Sequence, residues 1–119
     1  MVLALIAATP RLVSAHTRLV QSDPPKRAAL TAGPKSVRLW FNEPVEPSFA
    51  HVSVSDSAGK KLDSEAPKVD SADPKILELA VPELAAGAYT VSYEVLSVDG
   101  HRVKGAFSFT VKGPVGSHR

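Results

Sequence analysis

Tyr89-Thr90-Val91-Ser92-Tyr93-Glu94-Val95-Leu96 decides the fold. Tyr89, Val91, Tyr93 and Val95 share one face, and Thr90, Ser92 and Glu94 share the other. A period of two held over this length marks a strand buried on one side. The same pattern recurs on both sides of it. Val37, Leu39 and Phe41 alternate with Arg38 and Trp40, and Val52 and Val54 alternate with His51, Ser53 and Ser55. Leu77, Leu79 and Val81 alternate with Glu78 and Ala80, and Phe107, Phe109 and Val111 alternate with Ser108 and Thr110. With Thr17–Gln21 these runs predict an all-β antiparallel sandwich of about seven short strands.

The punctuation agrees. Pro24, Pro25, Pro34, Pro44, Pro47, Pro67, Pro74 and Pro82 fall between the runs, where a missing N–H breaks no ladder. Asp56-Ser57-Ala58-Gly59 supplies a turn. Leu84-Ala85-Ala86-Gly87-Ala88-Tyr89 resembles the corner of Ig-like sandwiches, in which a tyrosine hydroxyl bonds back to the preceding loop. Trp40, opposite Leu39, is left to shield either an edge or a site.

The 119 residues allow one domain, expected over residues 16–112, with a disordered tail over 113–119. Ahead of it, Val2–Ala8 is a short apolar run, and Val13-Ser14-Ala15 carries small or tolerated residues where a signal peptidase would cut. A leader over residues 1–15 is therefore expected, atypical in lacking a basic residue before the apolar run and in carrying Pro10 and Arg11. That run is far shorter than the roughly 20 residues needed to span a bilayer. Removing the leader takes away Arg11 and no acid, so 14 basic residues become 13 against 12 acidic ones, a net charge of +1. Such a balance, without a basic cluster interleaved with aromatics, excludes a nucleic-acid footprint. Cysteine is absent, which excludes disulfides, cysteine-zinc sites and thiol catalysis.

Cleavage after Ala15 would make His16 the mature N-terminus. A terminal histidine offers its α-amino group and ring Nδ1 to one metal ion, whereas an internal one offers a single nitrogen. Otherwise His16 is an ordinary residue opening a strand. The second chemical feature is Asp99-Gly100-His101, between the strands ending at Leu96 and beginning at Val103. Side chains two residues apart in an extended segment point the same way, and Gly100 lets the backbone bend so that they converge. Alone the triplet reads as a polar turn. With His16 it would supply an amine, two imidazoles and a carboxylate, a donor set that suits Cu(II), although zinc could use the same atoms in a tetrahedron. Soft ligands for Cu(I) are missing, since the single methionine, Met1, would leave with the leader. Ser97 lies too close to Asp99 and His101 in sequence to build a nucleophilic relay with them.

These motifs together resemble the CopC family of periplasmic copper-binding proteins, including its YobA-like members. The resemblance rests on Ala15-His16, Leu19-Val20 and Ser22-Asp23-Pro24, then on Pro34-Lys35-Ser36-Val37 leading to Leu39-Trp40-Phe41-Asn42-Glu43-Pro44. It continues through Leu84-x-x-Gly87-x-Tyr89-x-Val91-x-Tyr93 and Val98-Asp99-Gly100-His101. It implies a cupredoxin-like or Ig-like Greek-key β-sandwich or barrel, and one Cu(II) per chain held by His16, Asp99 and His101. It also places Glu43 near the site as an outer or weak axial ligand, and suggests a CopD-like inner-membrane copper transporter as partner. Some family members carry a methionine-rich Cu(I) loop; the corresponding Phe49–Lys75 region has no methionine, and His51 there reads as an ordinary exposed residue.

The expectation is a periplasmic carrier or buffer in copper homeostasis or resistance, and not an enzyme. The alternatives are a copper-dependent oxidative enzyme with a histidine brace and a metal-free Ig-like interaction module. Against the first, Asp99 would fill a coordination position that oxygen chemistry needs open. The second is favoured if the leader is not cut.

Overall fold

The computed structural model describes residues 17–113; the expected leader, His16 and the end of the tail lie outside them. The described residues form eight strands: β1 (Leu19–Asp23), β2 (Ala29–Leu30), β3 (Ser36–Phe41), β4 (His51–Asp56), β5 (Lys68–Val69), β6 (Ile76–Ala80), β7 (Gly87–Leu96) and β8 (Arg102–Val111). They build two four-stranded sheets, ordered β1-β3-β6-β5 and β2-β8-β7-β4. Every pairing is antiparallel except β2 with β8. Successive strands change sheet except at the β5–β6 and β7–β8 hairpins, as in a Greek-key sandwich.

The alternating residues meet between the sheets. Val37, Leu39 and Phe41 of β3 and Leu77 and Leu79 of β6 are buried, as are Val52 and Val54 of β4. Tyr89, Val91 and Val95 of β7 and Phe107, Phe109 and Val111 of β8 complete this core. Each fully buried side chain of this size contributes about 1.5–3 kcal/mol, so the inter-sheet layer dominates folding. The corner forms as expected: the Tyr89 hydroxyl donates to the Ala85 carbonyl at 2.5 Å, and its ring stacks on Phe109 with centroids 5.6 Å apart.

Departures from the sequence expectation are local. The first strand begins at Leu19, not Thr17, and runs on to Asp23, and a register shift between Leu19 and Gln21 interrupts its alternation. β2 and β5 have two residues each, too few for any periodicity to show. Trp40 lies in β3, an interior strand, so it covers no sheet edge. It packs beneath the Arg38 guanidinium, 5.3 Å from the ring centroid. Asp23, Arg38, Glu78 and Lys68 occupy one cross-strand row, a ladder of alternating sign on the outer face of that sheet.

The free side of β4 is sealed by a buried carboxylate. Leu62 N–H donates to the Val54 carbonyl at 2.8 Å, and Asp63 accepts from Val54 N–H at 2.8 Å and from the Ser53 hydroxyl at 2.9 Å. Lys61 Nζ approaches Asp63 at 3.5 Å. Burial pushes the Asp63 carboxyl up, but the bonds from Val54 and Ser53 and the Lys61 charge outweigh it, and the net displacement is downward from 3.8. A carboxyl lowered by folding stabilises fully above its unfolded pKa and loses that contribution as pH falls through the folded value. Asp63→Asn should therefore cost about 1–3 kcal/mol near neutrality. Denaturant melts should show the gap between wild type and variant closing below pH 4, and a gap independent of pH would refute the ionic clamp.

Candidate metal centre

The β7–β8 connection carries Asp99 and His101 and is fixed by backbone bonds before any side chain acts. Val45 forms an isolated antiparallel bridge with Ser97. On either side of it, Glu46 N–H donates to the Leu96 carbonyl at 2.8 Å and Val98 N–H donates to the Pro44 carbonyl at 3.0 Å. The turn then closes on itself, with Ser97 N–H donating to the His101 carbonyl at 2.8 Å and Gly100 N–H to the Ser97 carbonyl at 2.9 Å. Gly100 has φ +97°, a left-handed conformation that side-chain-bearing residues resist.

Within this turn Asp99 Oδ1 lies 3.1 Å from His101 Nδ1. Their side chains are 47% and 50% exposed, so the pair faces solvent while its backbone is pinned from behind. The two groups do converge, but through a tight turn rather than along the extended segment the spacing suggested. The Ser97 hydroxyl also donates to Asp99 Oδ1 and accepts from His101 N–H at 3.0 Å. This bond from Ser97 holds the Asp99 carboxyl below its usual range; desolvation opposes it, and the bond from His101, with that ring's charge when it is protonated, reinforces it. The order hydroxyl–carboxylate–imidazole puts no ring nitrogen of His101 on the Ser97 hydroxyl, which is itself 1% exposed, so the serine–histidine relay of a nucleophile is not formed.

The chain entering β1 is tied to the same end of the sandwich. Arg18 N–H donates to Asn42 Oδ1 at 2.7 Å, and Asn42 N–H donates to the Arg18 carbonyl at 3.1 Å. Asn42 is followed by Glu43 and then by Pro44, whose carbonyl holds Val98. Thr17, immediately before Arg18, is buried, and its hydroxyl has no hydrogen-bond partner among the described residues. Of the expected site residues, Asp99 and His101 are in contact, half-buried Glu43 sits on the strap that braces their loop, and His16 lies outside the described residues. The described residues include no group of three or more His, Asp or Glu side chains able to hold a metal. His51 is exposed on β4 opposite Glu94. An open groove of about 890 Å³ lies along His51, Ser53, Ser92, Glu94 and Lys104; neither Asp99, His101 nor Glu43 lines it. Sequence reasoning quoted Asn42 only as part of a motif and missed its clamp on Arg18, and it missed the structural role of Ser97, because only the folded chain reveals those partners.

Residues 19–112 match the CopC domain. The chain belongs to the CopC family. It is 35% identical over 116 residues to protein YobA of Escherichia coli K12, covering 92% of each chain. Among solved structures it resembles CopC from Methylosinus trichosporium OB3b, with 42% identity and a TM-score of 0.78 over 82% of this chain and 95% of that one. It also resembles PcoC of Escherichia coli, described as a methionine-rich copper resistance protein, with 30% identity and a TM-score of 0.70 over 82% of this chain and 100% of that one. Membership of the CopC family, which includes this copper resistance protein, gives the chain a copper-related function. No helix among the described residues is long and apolar enough to cross a membrane.

The turn makes its own prediction. A Cβ at Gly100 would meet nothing within 4 Å, so any effect of substitution is conformational. Gly100→Ala should destabilise by about 1–2 kcal/mol, and Gly100→Asn by less, since asparagine tolerates a positive φ better. Equal denaturation midpoints for wild type and Gly100→Ala would contradict the turn geometry.

Proposed function

We propose that the mature chain binds one Cu(II) through the α-amino group and ring of His16, the carboxylate of Asp99 and the imidazole of His101, and serves as a periplasmic copper carrier or buffer. The observation that carries this reading is the Asp99–His101 contact in a turn braced by Pro44, beside the Asn42 clamp on Arg18. The clamp ties down the segment that directly follows His16. Contact with Asp99 favours a proton on His101 Nδ1, which puts the ring's lone pair on Nε2, the nitrogen we assign to the metal.

The donor chemistry selects the oxidation state. Nitrogen and oxygen donors suit Cu(II), and the chain has no cysteine and only Met1 as a thioether, unlike a methionine-rich relative. Glu43, on the bracing strap, is the candidate outer or axial group. Cleavage after Ala15 would free the amine, and a CopD-like inner-membrane protein would be the recipient of the ion.

Copper titration against competing chelators tests the ligand set. The mature chain should take up one tight Cu(II) and no comparably tight Cu(I). His101→Ala or Asp99→Ala should lower Cu(II) affinity by more than the roughly 10–100-fold typical of outer-shell changes. Glu43→Gln should stay within that range. Wild-type affinity in His101→Ala would refute the assignment.

The terminal chelate has a separate test. One glycine added before His16 moves the amine away from its own ring, so affinity should drop even though every side chain is retained. The free amine must lose a proton to bind, and affinity should rise with pH through about 7.7–8.0. Equal affinities for the chains with and without the added glycine would remove the amine from the site.

A further inference from the structure

Ser97 is 1% exposed, and a hydroxyl buried that deeply is costly unless its hydrogen bonds are made. The backbone of Ser97 does not need the hydroxyl. Its position is set by the bridge to Val45, by its N–H to the His101 carbonyl and by its own carbonyl, which accepts from Gly100. Alanine at this position would keep those backbone bonds and would lose only what the hydroxyl itself makes.

The hydroxyl reaches both Asp99 and His101, the two residues of the turn assigned to the metal. Its oxygen accepts from His101 N–H at 3.0 Å, which directs its single proton to Asp99 Oδ1. Oδ1 is also 3.1 Å from His101 Nδ1. Two donors thus converge on one carboxylate oxygen, fixing the rotation of Asp99 and, through it, the ring of His101.

We propose that Ser97 is a positioning residue that presets Asp99 and His101 before the metal arrives, a role that rests on the copper reading above. Ordering two half-exposed side chains at the moment of binding costs conformational entropy, and a site ordered in advance avoids that loss. Bonds that orient metal ligands from outside typically contribute 10–100-fold in affinity. The role differs from ligation because the hydroxyl acts on Asp99 and His101 and not on the ion.

Two measurements on the mature protein, with Ser97→Ala, Ser97→Thr and His101→Ala alongside wild type, decide it. In metal-free protein, three-bond couplings should show a single Asp99 χ1 rotamer in wild type and averaging in Ser97→Ala. In chelator competition Ser97→Ala should lose roughly 10–100-fold in Cu(II) affinity, with an altered Cu(II) EPR hyperfine splitting. Ser97→Thr, which keeps the hydroxyl, should recover most of both. A single Asp99 rotamer and wild-type copper affinity in Ser97→Ala would overturn the proposal, even with a lowered melting temperature, because the hydroxyl would then serve the fold alone. Unchanged affinity in His101→Ala would defeat the copper reading instead, and the rotamer measurement would still decide what Ser97 does.

Discussion

The pairing of residues 44–46 with residues 96–98 is the constraint on which the candidate site depends. β3 and β7 belong to different sheets, and the chain leaving β3 reaches across to bond the end of β7. Three backbone contacts, Pro44 with Val98, Val45 with Ser97 and Glu46 with Leu96, close that end of the sandwich. Buried backbone groups must be paired, so this closure satisfies the ends of two sheets and fixes the root of the Asp99 turn. Val45, 2% exposed and part of the apolar core, anchors the strap from inside.

Most of the fold was legible because it follows from one-sided burial. Where alternation runs uninterrupted, as in Val37–Phe41 of β3 or Tyr89–Val95 of β7, the inward residues are those the period picked out. Tyr89 was legible for a different reason, since its partner lies only four residues back at Ala85. β2 and β5 were not, because two residues make no pattern and their pairing is decided by β8 and β6. Asp63 escaped notice on the same ground. Its role on the β4 edge depends on Ser53 and Val54, about ten residues earlier, and nothing in Lys61-Leu62-Asp63 signals them.

The site divides the same way. Asp99 and His101 stood out because two ligand-type side chains flank a glycine, and that glycine adopts the positive φ the turn requires. Asn42 did not, because its partner Arg18 is 24 residues away and only the register of β1 against β3 brings them together. Ser97 was weighed as a nucleophile, a role that asks for an exposed hydroxyl beside a base. Buried and bonded to a carboxylate, it orders its neighbours instead. Local sequence thus exposes the groups that do chemistry more readily than the groups that hold them still.

That division bears on how a bound ion would be handled. Asp99 and His101 are each about half exposed, so an incoming ligand could reach an ion held there without unfolding the sandwich. A resident catalytic metal is more commonly enclosed, with its ligands oriented from a dry shell. On the proposed reading the rigidity resides beneath the ligands, in the strap, the Ser97 hydroxyl and the Asn42 clamp, while their outer faces stay open. Preset ligands would give tight capture and solvent-facing ones a route for exchange, the two properties a carried ion requires. A carrier built this way should bind through small, local adjustments of Asp99 and His101, because the backbone of the turn already sits on bonds that the metal does not make.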